Sequence, residues 1–241
     1  MAIQAIFLDM DHTLCDTERA DKLALTDFQE ALRSEFQSNI AMEIGEYYLN
    51  VIYGKNRHLQ GWQKGPKDSE IEYRAKLLEK TINDLTDIKL KWSELILYTN
   101  LFMDLRIKHF SFFPRAGDML RELKHRYRLI VVSNGPLFSQ EPKIKKVAMI
   151  EHVHEIILGG TLKYEKPHSS IFELACQKAK CKPSEAIHVG DKLETDIKGA
   201  NDFGIKSVWV NPKNTFTEPI PTPNYTIANI CELKQLLDDI F

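Results

Sequence analysis

The sequence predicts an α/β protein: a doubly wound, mainly parallel sheet carrying an inserted helical domain. Three observations lead there. Short unbroken apolar runs recur along the chain, each followed by turn residues or a helical pattern. Helical patterns alternate with the later runs, and strand–helix–strand alternation means parallel pairing. One long interval after the first run holds no convincing strand. At 241 residues the chain is one large domain, or one domain with a substantial insertion.

The runs are Ala5–Leu8, Leu129–Val132, Ile156–Leu158, Ala186–Val189 and Ser207–Val210, with a weaker one at Tyr225–Ile227. Such runs suit strands buried on both faces. Helical periodicity covers Arg115–Tyr127, Ser169–Lys180 and Thr195–Phe203. Between Leu8 and Leu129, Ala20 to Phe36, Ile71 to Ile82 and Trp92 to Phe102 repeat at helical spacing, separated by a turn-rich break from Gly54 to Pro66. These patterns place a helical insertion at residues 17–108, with residues 1–16 and 109–241 forming the α/β core.

Composition narrows the function. The chain is 43% hydrophobic and 27% charged, with 32 basic against 34 acidic residues and a net charge of −2. That balance argues against a nucleic-acid or anionic-membrane footprint. No stretch approaches the roughly 18–20 apolar residues of a membrane span, and MAIQAIFLDMD lacks a basic leader region. Cys15, Cys176, Cys181 and Cys231 form no CxxC pair and read as reduced thiols of a cytoplasmic protein. His152 and His154 have no third ligand at matching spacing and read as a solvated turn.

Four polar groups close the apolar runs. Ligands of open α/β sheets bind at the carboxyl ends of strands. The first run ends in Asp9-Met10-Asp11-His12-Thr13, two carboxylates where a substrate would bind. A polar loop is the plain alternative. A calcium loop starting at Asp9 fails, since its sixth position would be Leu14 and its twelfth Ala20. The second run ends in Ser133-Asn134-Gly135, either a close approach to an anion or a helix cap. Lys166 stands before Pro167, which presents it on extended backbone; a solvated lysine is the alternative. The fourth run leads into Gly190-Asp191 and on to Asp196. Asp191 is a candidate ligand for a hard cation, and Asp196 could equally be a first-turn carboxylate favoured by the helix dipole.

In that order, DMDHT, VSNG, EKP around Lys166 and GDKLETD resemble the four motifs of the haloacid dehalogenase-like hydrolase superfamily. The resemblance spans the core, and the helical insertion resembles that family's cap of the first type. It implies a Rossmann-like core and a Mg2+-dependent phosphatase acting on a small phosphate monoester through an aspartyl-phosphate. Residue by residue, it implies Asp9 as nucleophile and Asp11 as the acid and base. Thr13, Ser133, Asn134 (through nearby amides) and Lys166 would bind phosphate. The metal would be held by Asp9, Asp11 (through its main-chain carbonyl) and Asp191, with Asp196 orienting Lys166 or water. Asp11 must be protonated when substrate binds, which a neighbouring carboxylate favours.

Within the family, the second aspartate of DMDHT and the GDxxxxD pair resemble phosphatases rather than dehalogenases or phosphomutases. Segments such as EKPHSSIF, VGDKLETDIKGA and SVWVNPKN resemble the N-acylneuraminate 9-phosphatase and pyrimidine 5′-nucleotidase groups. His12 departs from the family's commoner glycine or asparagine and is a candidate for facing the substrate, and Lys192 replaces its serine or threonine. A sugar-acid phosphate or a nucleoside monophosphate is the expected substrate, bound by a monomer or homodimer. Arg19, Lys22, Tyr47, Tyr48, Tyr53, Arg57, His58 and Trp62 of the insertion are the candidates for reading the leaving group. A non-catalytic receiver-like phospho-acceptor is the rival class, but at about 120 residues it has no reason for such an insertion.

Overall fold

The structure is a computed structural model describing residues 2–53, 69–212 and 220–240. Two compact units form, Met1–Thr17 with Phe110–Phe241, and Glu18–His109.

The first unit is the expected parallel sheet. Its strands are β1 (Ala5–Leu8), β2 (Arg128–Ser133), β3 (Glu155–Leu158), β4 (Ala186–Gly190), β5 (Lys206–Val210) and β6 (Tyr225–Ile227). Their spatial order is β3-β2-β1-β4-β5-β6, every pair parallel. This is the Rossmann-like doubly wound arrangement, whose strand order reverses beside β1 and leaves a crevice there. All four residues of β1 are buried, as a central strand covered on both faces requires. Phe7, Ile130, Val132 and Ile157 pack with Ile171, Phe172 and Ala175 of the helix Ser169–Ala179.

Among the described residues this unit also forms the helices Ala116–Lys124, Leu137–Lys146, Met149–His152 and Leu233–Ile240. Only the first carries a periodicity noted above. Leu137–Lys146 contains Pro142, whose missing N–H and fixed ring weaken any local helix signal. Tertiary packing therefore decides it. After β4 the chain makes one π-helical turn, Leu193–Ile197, before the α-helix Lys198–Phe203.

The helices of the second unit run Thr17–Leu32, Ser38–Ile52, Glu70–Leu85 and Trp92–His109. Ser69 and Glu72 start the third with a reciprocal capping box. The four helices bury Phe28, Tyr48, Leu78 and Phe102, with the Phe28 and Phe102 rings 4.8 Å apart. Tyr48, a candidate for substrate contact, is fully buried and donates its hydroxyl to the Arg74 carbonyl at 3.1 Å. It is a core residue, because its ring fills the centre of the helical packing. The break from Gly54 to Pro66, with Arg57, His58 and Trp62, lies outside the described residues. Among the described residues no helix is long and apolar enough to cross a membrane.

Candidate active site

β1 delivers Asp9 to the sheet's carboxyl end, and the Asp9 amide continues the ladder to the Val189 carbonyl at 2.9 Å. The loop then closes on itself through Leu14 and Cys15 amides donating to the Met10 carbonyl, at 3.0 and 2.9 Å. His12 adopts φ 63°, a left-handed conformation in the turn of this loop. Its ring and Thr13 border a largely apolar cavity of about 330 Å³ shared with Phe113, Val210 and Ile230.

Lys166 is the hub. Its ammonium is 2.6 Å from Asp9 Oδ1 and 2.7 Å from Asp196 Oδ1, with all three residues buried. Burial alone would lower its pKa, but the Asp196 and Asp9 carboxylates outweigh that and hold it above the ordinary lysine value. Asn134 fixes the Lys166 backbone from both sides: its amide donates to the Lys166 carbonyl and its oxygen accepts from the Lys166 amide, each at 2.9 Å. The Asn134 side chain is thus committed to the lysine. The Gly135 amide meets a carboxylate oxygen of the protein itself, Glu165 Oε1, at 3.2 Å. Ser133, buried at the end of β2, donates to the Asn134 carbonyl at 3.2 Å.

Asp196 is held by three donors. Besides Lys166, it takes His188 Nε2 at 2.9 Å and the Lys192 amide at 3.1 Å. Burial opposes its ionisation, yet Lys166 and His188 bring its pKa below the usual carboxylate range. Asp9 moves the other way: burial, with Asp196 and Asp191 adding to it, pushes it up to about 7 against the pull of Lys166. Asp191 is raised as well, by burial and then by Asp196. The Thr13 hydroxyl reaches Asp191 Oδ1 at 3.4 Å, and Trp209 donates its indole N–H to the Asp191 carbonyl at 2.9 Å.

Asp9, Asp191 and Asp196 each offer a carboxylate oxygen within 4.8 Å of the others'. Lys166 bonds two of the three acids, Asp9 and Asp196, and burial with carboxylate repulsion raises Asp9 and Asp191. That donor set suits a hard, oxygen-preferring cation. Asp196 has both oxygens engaged by protein donors, which leaves Asp9 and Asp191 as the freer carboxylates.

Asp11 contradicts one expectation. A carboxylate neighbour was expected to keep it protonated. Instead its Oδ1 accepts from Thr17 Oγ1 at 2.6 Å and Lys143 Nζ at 2.8 Å, and its Oδ2 from Gln140 Nε2 at 3.1 Å. Burial would raise its pKa, but Lys143, Thr17 and Gln140 together lower it. The same loop therefore carries one acid pushed up and one pushed down.

Thr17, Gln140, Lys143 and His188 were not foreseen. His188 could have been, since a histidine inside the apolar run Ala186–Val189 is a buried polar group needing a partner. Lys143 reads as surface charge beside Lys145 and Lys146, and nothing local marks it otherwise. In the His152–His154 turn both histidines are half-exposed and also held to the backbone: His152 Nδ1 lies 3.1 Å from the Gly117 carbonyl, and His154 Nδ1 accepts from the Leu129 amide at 3.0 Å. The four cysteines are free thiols.

With this geometry in place, the chain belongs to the haloacid dehalogenase-like hydrolases, whose family model matches residues 3–204. It is 28% identical over 240 residues to the human N-acylneuraminate-9-phosphatase, covering 99% of this chain and 95% of that one. It is 30% identical to a glyceraldehyde 3-phosphate phosphatase of Methanothermobacter thermautotrophicus, covering 98% and 100%. In fold it is similar to the HAD-hydrolase YfnB of Bacillus subtilis, solved with magnesium bound. The TM-score is 0.72 at 18% identity, and 99% of this chain and 100% of that one are covered.

Proposed function

We propose that this enzyme hydrolyses a small-molecule phosphate monoester, with Asp9 as nucleophile and Mg2+ as its metal. The observation that carries this reading is the buried Asp9 carboxylate at the end of β1, 2.6 Å from Lys166 and grouped with Asp191 and Asp196. Asp9 Oδ attacks phosphorus in line, and the bond to the leaving oxygen breaks as the aspartyl-phosphate forms. Asp11, ionised in the free enzyme by Lys143, Thr17 and Gln140, takes up a proton from solvent as the anionic substrate binds and gives it to the leaving oxygen. In the second half Asp11, then ionised, takes a proton from the water that attacks the aspartyl-phosphate, and that proton serves the next cycle. Lys166, held by Asn134 and Asp196, places a fixed cation beside the transferring group, and Ser133 adds a hydroxyl donor. Asp9, the main-chain carbonyl of Asp11 and Asp191 would hold the Mg2+, which would offset the repulsion between an anionic nucleophile and an anionic substrate.

The substrate reading is a small phosphorylated metabolite of the sugar-acid or nucleotide kind. Human N-acylneuraminate-9-phosphatase, matched over nearly its full length, supports the sugar-acid side. The groups gathered around Asp9 are suited to phosphate and carry nothing that distinguishes one leaving group from another. Residues 17–108 are the segment large enough to do so, in the manner of a cap. Screening the purified protein with Mg2+ against a broad panel of phosphate monoesters tests both levels. Catalytic release of inorganic phosphate from a narrow group of them is expected. Stable retention of phosphate on the protein with no turnover of any ester would favour the receiver-like phospho-acceptor instead.

A further inference from the structure

The helix after β2 contributes two buried polar side chains to the site, and neither belongs to the four motifs. Gln140 and Lys143 sit one turn apart on that helix, 4% and 7% exposed. At i, i+3 they share one face. Both point at Asp11, from opposite ends of its carboxylate: Lys143 Nζ to Oδ1 at 2.8 Å, Gln140 Nε2 to Oδ2 at 3.1 Å.

That arrangement does more than neutralise a charge. A donor on one oxygen leaves a carboxylate free to turn about its terminal torsion; donors on both oxygens fix its plane. Gln140 Nε2 also donates to the Asn134 carbonyl at 2.9 Å, which links the Asp11 carboxylate to the loop that ends β2. The fit there is tight, since a Cβ on Gly135 would come within 2.8 Å of Gln140 Nε2. Lys143 is steadied on its other side by the Phe110 ring, 5.4 Å from Nζ to the centroid. Burying a lysine and an amide is costly unless each finds a partner; Lys143 Nζ and Gln140 Nε2 both find Asp11, while Gln140 Oε1 is buried without a hydrogen bond among the described residues.

We propose that Lys143 and Gln140 are positioning residues for Asp11: they hold its carboxylate in the plane from which it exchanges protons with the leaving oxygen and the attacking water. The proposal rests on the acid–base reading of Asp11 given above. A proton donor must lie within hydrogen-bond reach and correctly oriented, and a displacement of about 1 Å can cost on the order of 10²-fold in rate.

The test is a double-mutant cycle on the full-length protein with Mg2+, using an alkyl phosphate that the panel shows to be accepted and sensitive phosphate detection. Lys143→Met should lower kcat by roughly 10–100-fold and leave KM within about threefold, because the phosphate-binding groups are untouched. In the Asp11→Asn background the same change should alter kcat by less than about twofold. Gln140→Leu should behave alike, more mildly, and it carries the test if Lys143→Met does not fold. Equal losses with and without Asp11, or a raised KM at unchanged kcat, would overturn the positioning role alone. An Asp11→Asn enzyme as fast as the wild type would instead sink the acid–base reading beneath it.

Discussion

The Lys166 ammonium and the Asp196 carboxylate meet at 2.7 Å with side chains only 2% and 1% exposed. Thirty residues separate them in sequence. A buried pair of this kind survives only when every remaining hydrogen-bonding position is satisfied. Asp9 takes a second N–H of the lysine, and His188 with the Lys192 amide engages the aspartate's remaining positions. The pair thereby fixes the lysine beside Asp9 from below.

Gly190 permits that closeness. A Cβ there would lie 2.3 Å from Asp196 Cγ and 2.7 Å from its Oδ2. Gly190→Ala should displace Asp196, cost about 1–3 kcal/mol of stability as overpacking does, and lower activity. Urea unfolding beside phosphate-release assays measures both, and wild-type values in each would contradict the account.

Asp9→Asn should cut turnover by roughly 10³-fold or more while the protein stays folded, since the substitution is isosteric and removes a charge that burial already disfavours. Phosphate release and thermal melting on the same preparation check it. Retention of a tenth of wild-type activity would rule Asp9 out as nucleophile.

Chelation should abolish activity and Mg2+ restore it, with Ca2+ inhibiting because its larger, looser shell misplaces the nucleophile. Mg2+ should also raise the melting temperature of the wild type, as a ligand of the native state must. The rise should be lost in Asp191→Asn. Full activity in excess chelator is the outcome that ends the metal-dependent reading.

In the helical unit, Tyr48 is pushed up to about 12 by burial and stays a neutral phenol donating to the Arg74 carbonyl. Tyr48→Phe should cost about 1 kcal/mol, whereas Tyr48→Ala should cost about 3–5 kcal/mol through the cavity it leaves. Denaturant midpoints of the two variants give the comparison. Equal effects would mean that the ring contributes nothing beyond its hydroxyl.

Much of this was legible in the sequence. Each of the six apolar runs lies within a strand, and β1 and β6 match their runs residue for residue. Strand burial on both faces writes itself as unbroken hydrophobicity, and the residues after each run mark the sheet's carboxyl end. The helix Leu137–Lys146 was not legible, because Pro142 and a run of lysines disguise a segment that packing holds in place. With it went Gln140 and Lys143.

What the sequence determined by itself was order and position: which runs are strands, and that Asp9, Ser133 and Asp191 stand at or just past strand ends, with Lys166 further along the chain after β3. Those follow from periodicity and turn chemistry, which are local. The tertiary structure alone decided the charge on each group. Asp9 and Asp11 are two residues apart in one loop, yet burial among carboxylates raises the first, and Lys143, Thr17 and Gln140 lower the second. A carboxyl's ionisation is set by the field and hydrogen bonds around it, and here hydrogen bonds reach Asp11 from 132 residues away along the chain and Asp9 from 157.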